Sequence, residues 1–232
     1  MRVAGEPRGR GAWRGAVAQA AWPLTLARAD IDPDSSPGRM AAGSPPWPVQ
    51  PGPAQLRLDF MVSHWVDIDT LAQATLAGLR DAGWYGRGLS GLRALLATKT
   101  AEGEPGVTIA GAKVDRLSAP GTTALEVFHD VVPRDRTAVR RWSQVLARAW
   151  GDRAHLDDRS SWIDVTLGGA GRGSLLGRLE PILDALEPVL GRDPRGRSEL
   201  FPNDHLVTWL RVRRGAADEP LLQLRLGPRD DA

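Results

Sequence analysis

A chain of 232 residues holds one large domain or two small ones, and with 42% hydrophobic and 25% charged residues it is composed like an ordinary globular protein. It has no cysteine, which excludes a disulfide framework and a thiolate metal site; no apolar run reaches the ~18 residues of a transmembrane helix; and the first residues lack the apolar core and cleavage site of a secretory signal, so the expected location is the cytoplasm. The formal charge of +2 excludes a polycation, yet Lys occurs only at Lys99 and Lys113, so nearly every base is Arg, the better bidentate partner for phosphate. The same bias is also what a GC-rich genome writes.

Residues 1–25 read as a short strand start, a Gly/Arg turn and a helix around 12–21. Residues 26–54 are rich in Pro, Gly, Ser and Asp and too poor in apolar residues to pack, so they are expected to form a loop. Met40 is a conceivable alternative start, which the repeat described below argues against. Residues 55–115 form a strand–helix–strand unit. Leu56, Leu58, Phe60 and Val62 alternate with Arg57, Asp59 and Met61, the two-residue period of a half-buried strand. Leu71, Thr75, Leu76 and Leu79 then share one face of a helix over 70–82. Strands follow at 91–99 and 106–110.

Asp67 and Asp69 sit where strand passes into helix. In extended chain, residues two apart point the same way, so both carboxylates can approach one point, as a Mg²⁺ ion with its oxygen ligands requires. The plainer reading is that Asp69 caps the helix and Asp67 is solvated.

Residues 116–123 read as a linker. The second half opens with a strand at 124–129. A helix over 137–150 sets Val139, Trp142, Leu146, Ala149 and Trp150 on one face and leaves Arg140, Arg141 and Arg148 off it, where they can touch DNA phosphates or simply meet solvent. A strand at 162–167 leads through a Gly-rich loop, 168–173, that carries Arg172. A helix follows over 174–190, and 206–212 with 221–226 reads as a hairpin. The glycine spacing fits neither a dinucleotide fingerprint nor a P-loop, since no Gly-Lys-Ser/Thr is present, although strand, loop and helix are the right context for binding phosphate. His64, His129, His155 and His205 show no metal-ligand spacing, and His205 reads as a surface residue. Most tryptophans fall on apolar faces; Trp65 and Trp84, flanking the Asp pair, are candidates for stacking on bases.

The two halves repeat one order: a Pro-Arg turn (Pro7-Arg8; Pro133-Arg134), a helix ending in Ala-Trp, a loop, a strand, a helix and two strands. A repeat of this length is a domain duplication, with units over 1–115 and 124–232.

Asp67-Ile68-Asp69-Thr70, Gln73 and Ala77-Gly78-Leu79 resemble the core of the RusA family of Holliday junction resolvases, whose pattern runs Asp-Leu-Asp-Asn, then a Lys, then Asp-Ala-Leu, then a paired Asp-Asp before a strand. Thr70 stands at the Asn, Gln73 at the Lys, and Gly86-Arg87 at the paired aspartates. In the second half Glu180-Pro181-Ile182-Leu183-Asp184-Ala185-Leu186 resembles Lys-Pro-x-x-Asp-Ala-Leu, and Asn203-Asp204 stands at the paired aspartates, while Ser174-Leu175-Leu176-Gly177 replaces Asp-Leu-Asp-Asn. The first copy keeps the Asp pair and the second keeps the distal Asp.

The resemblance implies an α/β (α+β) fold of two RusA-like units forming a pseudo-two-fold pair, a one-chain mimic of the family's homodimer. It implies branched DNA as partner, with Arg87, Lys99, Arg140, Arg141 and Arg172 as DNA contacts. It implies Mg²⁺ as cofactor and Asp67, Asp69 and Asp204 as metal-binding and catalytic residues. Neither copy is complete, so the first expectation is a DNA-binding protein with impaired or lost cleavage. The second is an active endonuclease whose site joins Asp67, Asp69 and Asp204 across the pair. Nucleotide binding at the Gly-rich loop, and an interaction module without a nucleic-acid role, are the further readings.

Overall fold

The computed structural model describes residues 1–7, 9–28, 52–62, 66–85, 89, 91–156, 159–168, 175–195, 200–216 and 221–230. The Pro-rich loop over 29–51, the Gly-rich loop from residue 169 to 174, His64, Trp65, Gly86, Arg87 and Arg172 lie outside them.

The fold is mixed α and β. Eight strands form one sheet: β1 (Arg2–Ala4), β2 (Gln55–Met61), β3 (Ala94–Thr100), β4 (Gly106–Gly111), β5 (Leu125–His129), β6 (Ser161–Leu167), β7 (Val207–Arg214) and β8 (Leu222–Pro228), in the order β1-β4-β2-β3-β7-β6-β8-β5. The order is the same read from either edge: first strand, last, second, third. The senses match as well. β2 runs parallel to β3 and antiparallel to β4, β6 runs parallel to β7 and antiparallel to β8, and β3 meets β7 antiparallel in the middle.

This order corrects the hairpin expected from the last two strands. β7 and β8 do not pair, because β6 lies between them and bonds to both. β2 lies between β3 and β4 in the same way.

Among the described residues, five helices pack on one face: α1 (Arg10–Arg28), α2 (Ile68–Asp81), α3 (Arg136–Trp150), α4 (Leu179–Asp184) and α5 (Glu187–Leu190). Alternation along the strands explains this. Leu56, Leu58 and Phe60 of β2, Leu95 and Ala97 of β3, Ile163, Val165 and Leu167 of β6, and Leu222, Leu224 and Leu226 of β8 all point to the helices and join a single core that runs through both halves. On α1, Trp13, Val17 and Ala21 recur every four residues and are buried against α2. The two helix backbones come so close at Gly78 that an added Cβ would lie 2.6 Å from the Arg14 carbonyl oxygen. Ala149 of α3, expected on the apolar face, is exposed, and Ser143 takes a buried place instead.

The helix expected over 174–190 is broken. A 3-10 turn at Leu176–Arg178 precedes α4, and α5 begins after Ala185-Leu186. Pro188 is the cause: it has no N–H for the carbonyl of Asp184, and its ring crowds that carbonyl.

Among the described residues, the opposite face of the sheet carries no helix. There the chain between β4 and β5 is laid across the sheet as a strap. Gln55 Oε1 accepts from Val114 N at 2.7 Å, Val114 packs on Ala94, Leu96, Trp162 and Trp209, and Gly121 presses against the Trp162 ring and the Pro228 carbonyl. Arg211 fastens the strap. It pairs with Asp164 while donating to the carbonyls of Val114, at 3.2 Å, and Leu117. The expected linker is thus part of the folded body. Among the described residues, no helix is long and apolar enough to cross a membrane.

Removing one partner of a buried ion pair strands the other. Asp164→Ala is expected to cost about 3–5 kcal/mol in urea unfolding and to speed tryptic cleavage after Lys113 and Arg116, as the strap loses its anchor. An unchanged urea midpoint would refute this account of the strap.

Candidate functional site

The junction between β2 and α2 turns into the helix at Asp67, which has extended backbone (φ −69, ψ 129) and occupies the N-cap position. It makes no side-chain cap hydrogen bond. Asp135, at the same position on α3, does: its carboxylate accepts from Ala138 N at 2.8 Å. A cap bond contributes about 1 kcal/mol, so Asp67 gives up a local bond.

It spends its carboxylate across the middle of the sheet. The chain enters β7 through a 3-10 turn, Asp204–Leu206, and the Asp204 carboxyl is hydrogen-bonded to that of Asp67. Asp69, in the first turn of α2 and 7% exposed, lies beside them. It accepts from Thr70 N at 2.6 Å and from Gln73 Nε2 at 3.3 Å. The three aspartates named from the sequence therefore form one cluster, although they start from a helix terminus and a turn rather than from a strand end.

Two further acids, Glu180 and Asp184 of α4, complete the surroundings. Glu180 acts on Asp69, and Asp184 acts on Asp204. The break at Pro188 leaves Asp184 as the last residue of α4. The sequence comparison set Asp184-Ala185-Leu186 against Ala77-Gly78-Leu79 and gave no sign that Asp184 lies near Asp204.

Burial is the main force on these groups. It pushes the Asp204 carboxyl up to about 8, with the charges of Asp67 and Asp69 adding to the effect. Asp69 rises to about 6, chiefly by burial, against the Thr70 hydrogen bond. Asp184 also rises to about 6 by burial and the charge of Glu180, relieved by Arg136. Both effects favour the protonated form of Asp204.

Lys99 corrects the sequence expectation. It is not a DNA contact: it is 3% exposed, on the helix-facing side of β3, and its ammonium donates to the carbonyls of Val66, at 2.8 Å, and His205. Burial lowers it to about 8, and the charges of Asp67, Asp204 and Asp69 oppose that fall. His205, expected at the surface, is 5% exposed beside Asp193 and Arg195. Burial and the Arg195 charge lower its pKa. Trp84 is buried and offers no face for a base.

Arg140 and Arg141 are exposed on α3, as expected of groups that meet an outside partner or solvent. Arg136, one turn before Arg140, acts on Asp184. Arg10, at the start of α1, donates to Thr70 Oγ1 at 3.1 Å and acts on Asp69. The first residue of a helix from each half thus brings a guanidinium to the edge of the acidic cluster.

The donors are all carboxylate oxygens, which suit a hard cation such as Mg²⁺ in kind. Among the described residues, no three such side chains converge so as to hold an ion as they stand. Asp67, Asp69 and Asp204 are the residues that would hold such an ion, and the raised pKa of Asp204 means that binding would compete with its protonation.

The raised pKa of Asp204 has a consequence for stability. Asp204 is free to ionise at 3.8 in the unfolded chain and only at about 8 in the folded one, so between those values the folded state binds more proton. Its contribution to stability therefore falls as pH rises from about 4 to about 8 and levels off above. Asp204→Asn is expected to remove that fall and to raise stability at pH 8 by about 1–3 kcal/mol, read as melting temperature against pH. A variant that tracks the parent from pH 5 to 8 would exclude the raised pKa.

No family model, no curated protein and no solved structure matches this chain.

Proposed function

We propose that the chain is a divalent-cation-dependent phosphodiesterase acting on branched DNA, a RusA-like pair fused in one polypeptide with one composite acidic site. The observation that carries this reading is the contact between Asp67 and Asp204, one acid from each half, with Asp69 beside them. Several carboxylates kept buried and partly protonated are expensive, and functional sites are where such costs are retained. A bound Mg²⁺ would stabilise charge on the phosphoryl group in flight and make its own water more acidic. The chain's own groups would position the substrate: Arg10 and Arg136 flank the cluster and are placed for backbone phosphates, and Arg140 and Arg141 extend the basic side along α3. A cytoplasmic location is part of the same proposal.

The tandem reading has support of its own. Arg57 lies opposite Leu96 and Ala110, and Asp164 lies opposite Arg211 and Arg225. Arg57 and Asp164 stand the same distance apart in the chain as Ala77 and Asp184, which the motif comparison had paired. Lys99 of β3 reaches the His205 carbonyl ahead of β7, and Arg214 of β7 reaches the Leu92 carbonyl ahead of β3, at 3.4 Å.

A second reading, binding of branched DNA without cleavage, is favoured by the burial of Asp204 beside Asp67 and Asp69, which raises its pKa and opposes the ionised form a cation needs. One assay separates the two. Purified protein is given a labelled four-way junction with Mg²⁺ or Mn²⁺, beside Asp67→Asn and Asp204→Asn. The first reading expects cleavage that falls at least 100-fold in either single variant, because each half supplies an indispensable ligand. Salt-sensitive binding without cleavage would establish the second reading. Binding that ignores salt, or no binding, would defeat both and favour an interaction module.

A further inference from the structure

Lys99 occupies an unusual position. It is near the end of β3, between β2, where its partner is Phe60, and β7. Its side chain faces the helices, so it lies beneath the two segments that carry the site. One ammonium hydrogen bond goes to Val66 O at 2.8 Å and another to His205 O. Val66 immediately precedes Asp67, and His205 immediately follows Asp204. The two carbonyls thus belong to the chain neighbours of the two hydrogen-bonded acids, one in each half.

We propose that Lys99 is the positioning residue of the composite site: by holding the Val66 and His205 carbonyls at one ammonium, it sets the separation of Asp67 and Asp204. The proposal rests on the metal-site reading for its functional meaning, while the clamp itself is a geometric claim. The residue type suits the task. An ammonium offers three donors on a flexible four-carbon stem, so it can serve carbonyls on two sides. Burying it at 3% exposure is costly, and the neighbouring Asp67, Asp69 and Asp204 offset that cost.

The clamp and simple electrostatics predict opposite signs. A positive charge beside carboxylates repels a second cation, so deleting it by charge alone should strengthen divalent-ion binding. If Lys99 instead holds the ligands at their spacing, deleting it should weaken binding. The first arm is Mn²⁺ titration of the full chain, followed by electron paramagnetic resonance, for the parent and Lys99→Met. We expect at least a tenfold loss of affinity in the variant. Affinity that is unchanged or tighter overturns the proposal.

The second arm needs no metal. The chain has no cysteine, so Asp67→Cys with Asp204→Cys introduces the sole thiols. Dibromobimane becomes fluorescent when both thiols displace its bromides, which requires them to be neighbours. Cross-linking is expected to be at least tenfold slower when Lys99→Met is added, and an equal rate overturns the clamp whatever the Mn²⁺ arm shows. If the parent binds no Mn²⁺, the metal reading fails and the cross-linking arm alone decides this one. Circular dichroism and melting temperature check the fold. Should Lys99→Met fail to fold, Lys99→Gln, an uncharged donor of shorter reach, replaces it in both arms. Loss of fold in both variants makes Lys99 a general structural residue and also overturns the proposal.

Discussion

The antiparallel pairing of β3 with β7, from Ala94 opposite Arg213 to Thr98 opposite Trp209, joins the two halves into one sheet, and most other features are consequences of it. It makes the apolar faces of the two halves continuous, so one core serves both. It also forces the chain between β4 and β5 to travel from near one edge of the sheet to the other. That journey is made over the helix-free face, and the Asp164–Arg211 pair and Trp162 exist on that face to hold it. On the helix face the same pairing brings the start of α2 next to the start of β7. Residues far apart in the chain meet there because two strands were zipped between them.

The acids at that meeting point are costly to the fold. An isolated carboxylate in a poorly hydrated place either finds a partner or keeps its proton. Asp69 finds Thr70 N and Gln73; Asp204 meets Asp67, and burial favours its neutral form. The arrangement is less stable than apolar side chains of similar size would be, and the cap bond that Asp67 forgoes adds to the deficit. Capping alone therefore does not explain Asp67, whereas Asp135 is fully explained by it. The contrast between two aspartates at equivalent helix starts is the physical reason for regarding one as a candidate functional group and the other as local structure.

Much of the fold was legible in the sequence because it depends on local periodicity. Leu56, Leu58 and Phe60 alternate and form β2; Leu71, Leu76 and Leu79 recur and form the buried face of α2. The order of elements in the two halves was legible for the same reason. Strand neighbours were not. Adjacent strands in sequence suggest a hairpin, but β6 inserts between β7 and β8, a choice set by tertiary packing that no window of ten residues records. The helix break was within reach, since Pro188 forbids the bond to Asp184, and the long apolar stripe from Leu175 to Leu190 obscured it. Among the candidate site residues, the three aspartates were singled out by type and motif, and they lie together in the fold. Lys99 was misjudged because a lysine is ordinarily exposed, and only the convergence of two carbonyls and three carboxylates makes its burial tolerable. The same ordinary preference misplaced His205.

The pattern of what each half has kept bears on how such a site persists. In a dimer of identical chains, losing an acid empties both sites at once. In a fused chain the halves change independently, and a site drawing on both survives so long as the losses are complementary. On the proposed reading, that would be the pattern here: Asp67 and Asp69 stand in the first half, with Gly86-Arg87 at the position the resemblance gives to paired acids, and Asp204 stands in the second, with Ser174 and Leu176 where it would put the other pair. Independent decay of an unused site gives no reason for acids from the two halves to meet. Asp67 and Asp204 do meet, as the proposed composite site requires, and Lys99 donates to the carbonyls of Val66 and His205 on the two sides of that meeting point.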